Sequence, residues 1–80
     1  MSDFDNKVKM IIEGLLLAAS RPLNLSEIAQ VFDEDERPDK KELKKIIEVI
    51  EADCSDRGFE LQEVASGYRF QVKQELSSWV

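Results

Sequence analysis

An α+β fold of the winged helix-turn-helix kind, with three helices, a short extended segment and a two-stranded β-hairpin wing, is predicted for this 80-residue chain by three observations. Two helix patterns open on capping-box spacings, Asn24 with Glu27 and Asp39 with Glu42, in which the cap side chain accepts a hydrogen bond from the backbone three residues on. The second pattern runs into two segments rich in β-branched and aromatic residues, separated only by Ser66-Gly67, a two-residue hairpin turn. A longer amphipathic helix precedes both.

The chain opens on polar residues 2–6, which offer several N-caps, and continues into a helix pattern from Lys7 to Ala19. Val8, Ile11, Ile12, Leu15 and Ala19 share one face at helical spacing and are expected in the core. Met10, Gly14 and Leu17 form a second apolar set on a different side, with Leu16 between the two sets. One small domain seldom needs two apolar sides on one helix, so this side is a candidate partner surface, with Phe4 joining it. The competing reading is that the third helix and the C-terminal tail cover both sides within one molecule.

Ser20-Arg21-Pro22-Leu23 breaks the first helix and leaves room for a single extended pair. Asn24 then caps a short second helix with Leu25, Ile28, Ala29 and Phe32 at i, i+3, i+4 and i+7. The connector Asp33-Glu34-Asp35-Glu36-Arg37-Pro38 is too polar to bury and is closed by its proline. From Asp39 the third helix places Leu43, Ile46, Ile47, Ile50 and Cys54 on one face, and Gly58 is its expected left-handed stop.

The hairpin is expected over Phe59 to Ala65 and Tyr68 to Val72, with Ala65 opposite Tyr68. That register puts Phe59, Leu61, Phe70 and Val72 on one face, leaving Glu63 as a polar residue among them unless a bulge moves it. Residues 74–80 begin what reads as another helix, and the terminal Trp79-Val80 suggests a chain that continues.

Composition narrows the function. One domain of this length buries only about 60% of its unfolded surface, and 42% hydrophobic residues suffice for that. There is no run of about 18 apolar residues and no basic-then-apolar leader, so a soluble, cytoplasmic chain without a membrane partner is expected. A single cysteine and no histidine leave no internal disulfide and no ordinary zinc site. A net charge of −6 opposes indiscriminate binding to nucleic acid, though it permits a local basic patch.

Three segments then carry a resemblance: Ile12-Glu13-Gly14-Leu15-Leu16, Pro22-Leu23-Asn24-Leu25, and above all Phe59-Glu60-Leu61-Gln62-Glu63-Val64-Ala65-Ser66-Gly67-Tyr68-Arg69-Phe70-Gln71-Val72. Together they resemble the N-terminal winged-helix domain of bacterial segregation and condensation protein B. The resemblance covers nearly all of the chain but only part of that family's usual protein, which carries a second winged helix. Residues 1–73 are accordingly expected to be the winged-helix domain, and 74–80 the start of a linker or helix toward a second domain absent from this chain. What the resemblance implies is a nucleoid-associated accessory subunit that forms a homodimer and binds a kleisin subunit. Through the kleisin it would act on a structural-maintenance-of-chromosomes (SMC) ATPase in chromosome condensation and segregation.

The alternative is a winged-helix DNA-binding transcriptional regulator using Lys40, Lys41, Lys44 and Lys45 at the start of the third helix. Asp39 and Glu42 interleave with these lysines and residues 33–36 lie just upstream, so the local potential is largely cancelled and direct DNA binding is expected to be weak or absent. An EF-hand starting at Asp33 would need glycine and glutamate where Pro38 and Lys44 stand. Cys54, on the apolar face and without a histidine base, reads as core. Tyr68 alternates in step with Phe70 and Val72, which favours packing, although Tyr68 and Arg69 at the hairpin tip also suit a partner contact. Glu63 and Val64, with Arg69 expected opposite Val64, mark either a second chain's contact or a bulge. No catalytic triad, phosphate loop or metal set is present, so neither enzymatic activity nor a cofactor is expected.

Overall fold

The computed structural model describes residues 3–79 and, of residues 3, 4 and 77, the backbone alone. Three helices, α1 (Asp3–Ala18), α2 (Leu25–Ala29) and α3 (Lys40–Asp53), precede an antiparallel hairpin of β1 (Phe59–Val64) and β2 (Gly67–Val72), and a 3-10 turn over Gln74–Trp79 follows. This is the predicted three-helix, winged α+β arrangement.

Local chemistry sets the helix starts. Asn24 has extended backbone and completes a capping box: its Oδ1 accepts from Glu27 N–H at 2.8 Å, and Glu27 Oε1 accepts from Asn24 N–H at 3.0 Å. Asp39 makes the forward half alone, accepting from Glu42 N–H at 2.8 Å. Caps of this kind stabilise by about 1 kcal/mol each. At the far end of α2, Arg37 donates to the carbonyls of Ala29 (2.9 Å) and Phe32 (3.2 Å), so the end of the acidic connector satisfies groups that a five-residue helix leaves bare.

The core lies between the helices and the inner face of the hairpin. Val8, Ile12 and Leu16 of α1 meet Ile28 and Phe32, then Leu43, Ile46, Ile47 and Ile50 of α3, with Leu23 and Leu61 closing it. The α3 and α2 faces are those expected, but α1 is turned slightly from expectation. Leu16, placed between the two apolar sets, is buried, whereas Ile11, assigned to the core, is 39% exposed. The α1 sequence is apolar over more than half its circumference, so spacing alone leaves the phase of burial open.

Gly58 does not end α3 in a left-handed conformation. The helix winds down through Cys54, whose backbone stays right-handed, in tight turns from Cys54 N–H to Glu51 O (3.2 Å) and Arg57 N–H to Cys54 O (3.0 Å).

The hairpin register pairs Phe59 with Val72, Leu61 with Phe70, Glu63 with Tyr68 and Val64 with Gly67, so the two-residue turn is Ala65-Ser66 rather than Ser66-Gly67. The slide is two residues, and because side chains alternate with period two, the inner-face set is preserved. No bulge interrupts the ladder. The extended pair expected after α1 is formed by Leu23, which exchanges two hydrogen bonds with Tyr68 (3.0 and 2.8 Å) and so covers the outer edge of β2.

Candidate interaction site

Two surfaces stand apart from ordinary solvated exterior. The first is the outer side of α1. Met10 is 62% and Leu17 67% exposed, and Ile11, Gly14 and Ala18 are exposed beside them. A helical step of about 100° per residue sets these five on one continuous side with Lys7 as its single charge. Neither α3 nor the described part of the tail covers them, so the single-molecule explanation for the second apolar set does not hold. Around Gly14 no atom lies within 4 Å of where a Cβ would stand, so nothing inside the domain requires a glycine there. The side chain of Phe4, expected to join this surface, lies outside the described residues.

The second is a groove of about 810 Å³ between α2, the start of α3 and the hairpin turn. Leu25, Ala29, Pro38, Leu43 and Tyr68 give it an apolar floor, and Arg21, Lys40 and Lys44 its basic groups. Each is positioned by a local device already described. The Asn24 cap fixes the approach of α2, the Asp39 cap sets the first turn of α3, and the Leu23–Tyr68 pair brings the turn up against both.

The electrostatics of the groove are uneven. Arg21 pairs with Glu27 through Nη2 and Oε2. That contact first, and the Asn24 backbone N–H second, hold the Glu27 carboxyl below the usual carboxylate range. Lys40 and Lys44, one turn apart on α3, take part in no ion pair among the described residues. Glu63 faces Tyr68 across the ladder. Burial, and then this carboxylate, push the Tyr68 phenol upward. Past Tyr68 a shallower depression of about 300 Å³ continues between Lys44, Glu48, Glu51 and Glu63, where the acidic groups dominate.

The residues singled out in the sequence thus divide among separate places. Met10, Gly14 and Leu17 lie together on α1, while Glu63 and Val64 line the groove with Lys40 and Lys44. Arg69 joins neither group. It stands opposite Gln62, not Val64, and its guanidinium donates to Gln71 at 3.3 Å within a polar ladder on the outer face that continues from Gln71 to Gln62 at 3.0 Å. The expectation that Arg69 sits against Val64 is therefore overturned by the two-residue slide. Lys41 and Lys45 are exposed on α3 away from the groove lining.

Sequence reasoning missed Arg37 and the pair formed by Lys9 and Asp53. Lys9 contacts Asp53 at the end of α3 and lies 3.9 Å from Glu13. The hydrogen bond to Asp53 is the main reason its ammonium is held above the usual range. Neither residue has a local sequence signature, because each partner comes from a distant element. Cys54 is buried, and burial pushes its thiol up. Among the described residues no three His, Cys, Asp or Glu side chains converge to hold a metal ion, and no helix is long and apolar enough to cross a membrane.

Comparison with known proteins gives concordant likenesses. Residues 10–80 match the family model described as segregation and condensation complex subunit ScpB. Over 72 residues the chain is 40% identical to the segregation and condensation protein B homolog of Coxiella burnetii, a match covering 90% of this chain and 34% of that protein. Among solved structures, a dimer of the ScpB N-terminal domain complexed with ScpA peptide superposes with a TM-score of 0.82 at 30% identity, covering 99% of this chain and 88% of that one. ScpB from Mycobacterium tuberculosis shares the fold, with a TM-score of 0.78 at 18% identity over 94% of this chain and 46% of that one. The chain spans about a third of the length of the curated relatives it matches.

Proposed function

The chain belongs to the family of the segregation and condensation complex subunit ScpB, and on that premise we propose that it dimerises and binds a kleisin subunit as a non-enzymatic accessory part of an SMC–kleisin complex. Its work would be to support chromosome condensation and segregation in the cytoplasm, at the nucleoid. Residues 1–73 form the unit that does this, and 74–80 lead toward a second winged helix, in keeping with relatives about three times as long.

The observation that carries this reading is the unpartnered apolar side of α1. Glycine in mid-helix is about 1 kcal/mol less favourable than alanine, and at Gly14 the domain itself draws no packing benefit from it. A second helix crossing close to Gly14 between Met10 and Leu17 supplies the missing reason, since small residues let backbones approach. The related N-terminal domain that is 30% identical was solved as a dimer with a ScpA peptide, which supports both halves of the proposal. The non-enzymatic part rests on chemistry: Cys54 is buried and there is no histidine to serve as its base.

Sedimentation equilibrium at high concentration tests the dimer. A dimer is expected, and Leu17→Asp is expected to yield a folded monomer; a wild-type chain that stays monomeric defeats the reading. A duplex-binding role for Lys40, Lys41, Lys44 and Lys45 is the second reading, favoured only by their exposure at the start of α3. Anisotropy of a random-sequence duplex at about 50 and about 200 mM salt separates the two. A flat titration at both salts is expected, and binding that falls steeply with salt would favour the duplex.

A further inference from the structure

Resting on the kleisin-binding reading above, we infer that the groove between α2, α3 and the hairpin turn is the seat of the kleisin segment, held in extended form with an acidic side chain between Lys40 and Lys44. The dimer surface on α1 contributes nothing to the groove lining, so the two contacts can be made at once.

The argument begins with charge. The molecule carries a net charge of −6, yet this groove holds three basic residues against two acidic ones. Glu27 is spoken for by Arg21 and by its own helix cap, and Glu63 lies beside Tyr68. Lys40 and Lys44 remain without acidic partners. An anion entering here meets the N-terminal turn of α3 as well, where the helix dipole favours negative charge.

The floor is the second part. Leu25, Ala29, Leu43 and Tyr68 present an apolar trough beside the lysines, which a nucleic-acid backbone has no apolar groups to fill but alternating peptide side chains do. The third part is direction. Toward Glu48, Glu51 and Glu63 the depression turns acidic, so an acidic side chain fits only the end nearest Lys40. A bound segment therefore reads acidic, then apolar, then neutral or basic along the groove. Charge complementarity of this graded kind fixes register as well as affinity.

The test uses the kleisin subunit encoded by the same genome, titrated calorimetrically with this chain, its Lys40→Glu/Lys44→Glu variant and its Ala29→Arg variant. Both charge reversals lie on the exposed side of a first helical turn or next to it, where glutamate is well tolerated. Far-ultraviolet circular dichroism and sedimentation confirm that the variants are folded dimers. The expected result is a loss of at least tenfold in affinity for each variant. Wild-type affinity in both folded variants overturns the groove assignment while leaving the kleisin reading intact. No binding by the wild-type chain overturns the reading and the assignment together. Duplex binding by the wild type that the double variant abolishes, without kleisin binding, assigns the lysines to nucleic acid instead.

Discussion

Gly67 and Leu23 meet backbone against backbone: a Cβ on Gly67 would stand 2.3 Å from the Leu23 carbonyl carbon, 2.4 Å from its oxygen and 2.6 Å from Asn24 N. Gly67 also has φ +143°, a conformation that side-chain-bearing residues rarely adopt. Strain and overlap act together, and neither neighbour can give way, because the Leu23–Tyr68 pair joins the helical half to the hairpin. Gly67→Ala is expected to destabilise the domain by about 3 kcal/mol or more, read as a fall in the urea midpoint. A change under about 1 kcal/mol would mean the close approach is relieved at little cost.

Leu16 and Ile11 provide a matched pair for the phase of α1. Leu16→Ala removes a buried side chain and is expected to cost about 2–5 kcal/mol, whereas Ile11→Ala, at a site 39% exposed, is expected to cost under about 1 kcal/mol. Thermal denaturation of the two variants in the Leu17→Asp background, where dimerisation does not contribute, decides it. Equal losses would place Ile11 in the core after all.

Glu27 makes the cap of α2 sensitive to acid. Its folded pKa lies below the ordinary value of 4.5, chiefly because of Arg21 and then the Asn24 N–H. A lowered carboxyl contributes stability that is complete above the unfolded value and is lost as pH falls through the folded one. Wild type is therefore expected to exceed Glu27→Gln in stability at pH 7, with the two curves converging below about pH 4. A gap of constant size across that range would show that the carboxylate's charge is not what holds the cap.

Cys54 is expected to be inert in the native state. Burial raises its thiol and excludes reagent, so the thiolate is scarce and shielded. An aromatic disulfide reagent at pH 8 should label it no faster than the domain opens, and denaturant should bring labelling into step with unfolding. Labelling at the rate of a free thiol would mean the end of α3 is loose.

What the sequence revealed follows the range of the interactions involved. Asn24, Glu27 and Asp39 were readable because a cap and its partner lie three residues apart, and the α3 face was readable because its apolar side is narrow. The inner set of the hairpin was readable, but its register was not: a slide of two residues leaves alternation unchanged, and only the distant contact with Leu23 selects Gly67 as the paired residue. The α1 partner surface was visible at Met10, Gly14 and Leu17 because its apolar residues exceed what a core needs, while Ile11 and Leu16 exchanged roles for the same reason. The groove was hidden. Its lining comes from three separate stretches, and the lysines reveal themselves as a site only once Leu25, Ala29 and Tyr68 stand beside them.

Arg37 gives α2 a particular dynamic character. Five residues are too few to persist as a helix unaided, and here side chains bind both ends, Asn24 and Glu27 at one and Arg37 at the other. The helix and the acidic connector are thereby a single opening unit: when Arg37 lets go, the amides of α2 lose protection from solvent exchange together, ahead of those in α3. One wall of the groove is then the most readily melted part of the molecule, and a segment bound against it would slow that exchange without touching a single hydrogen bond of the helix.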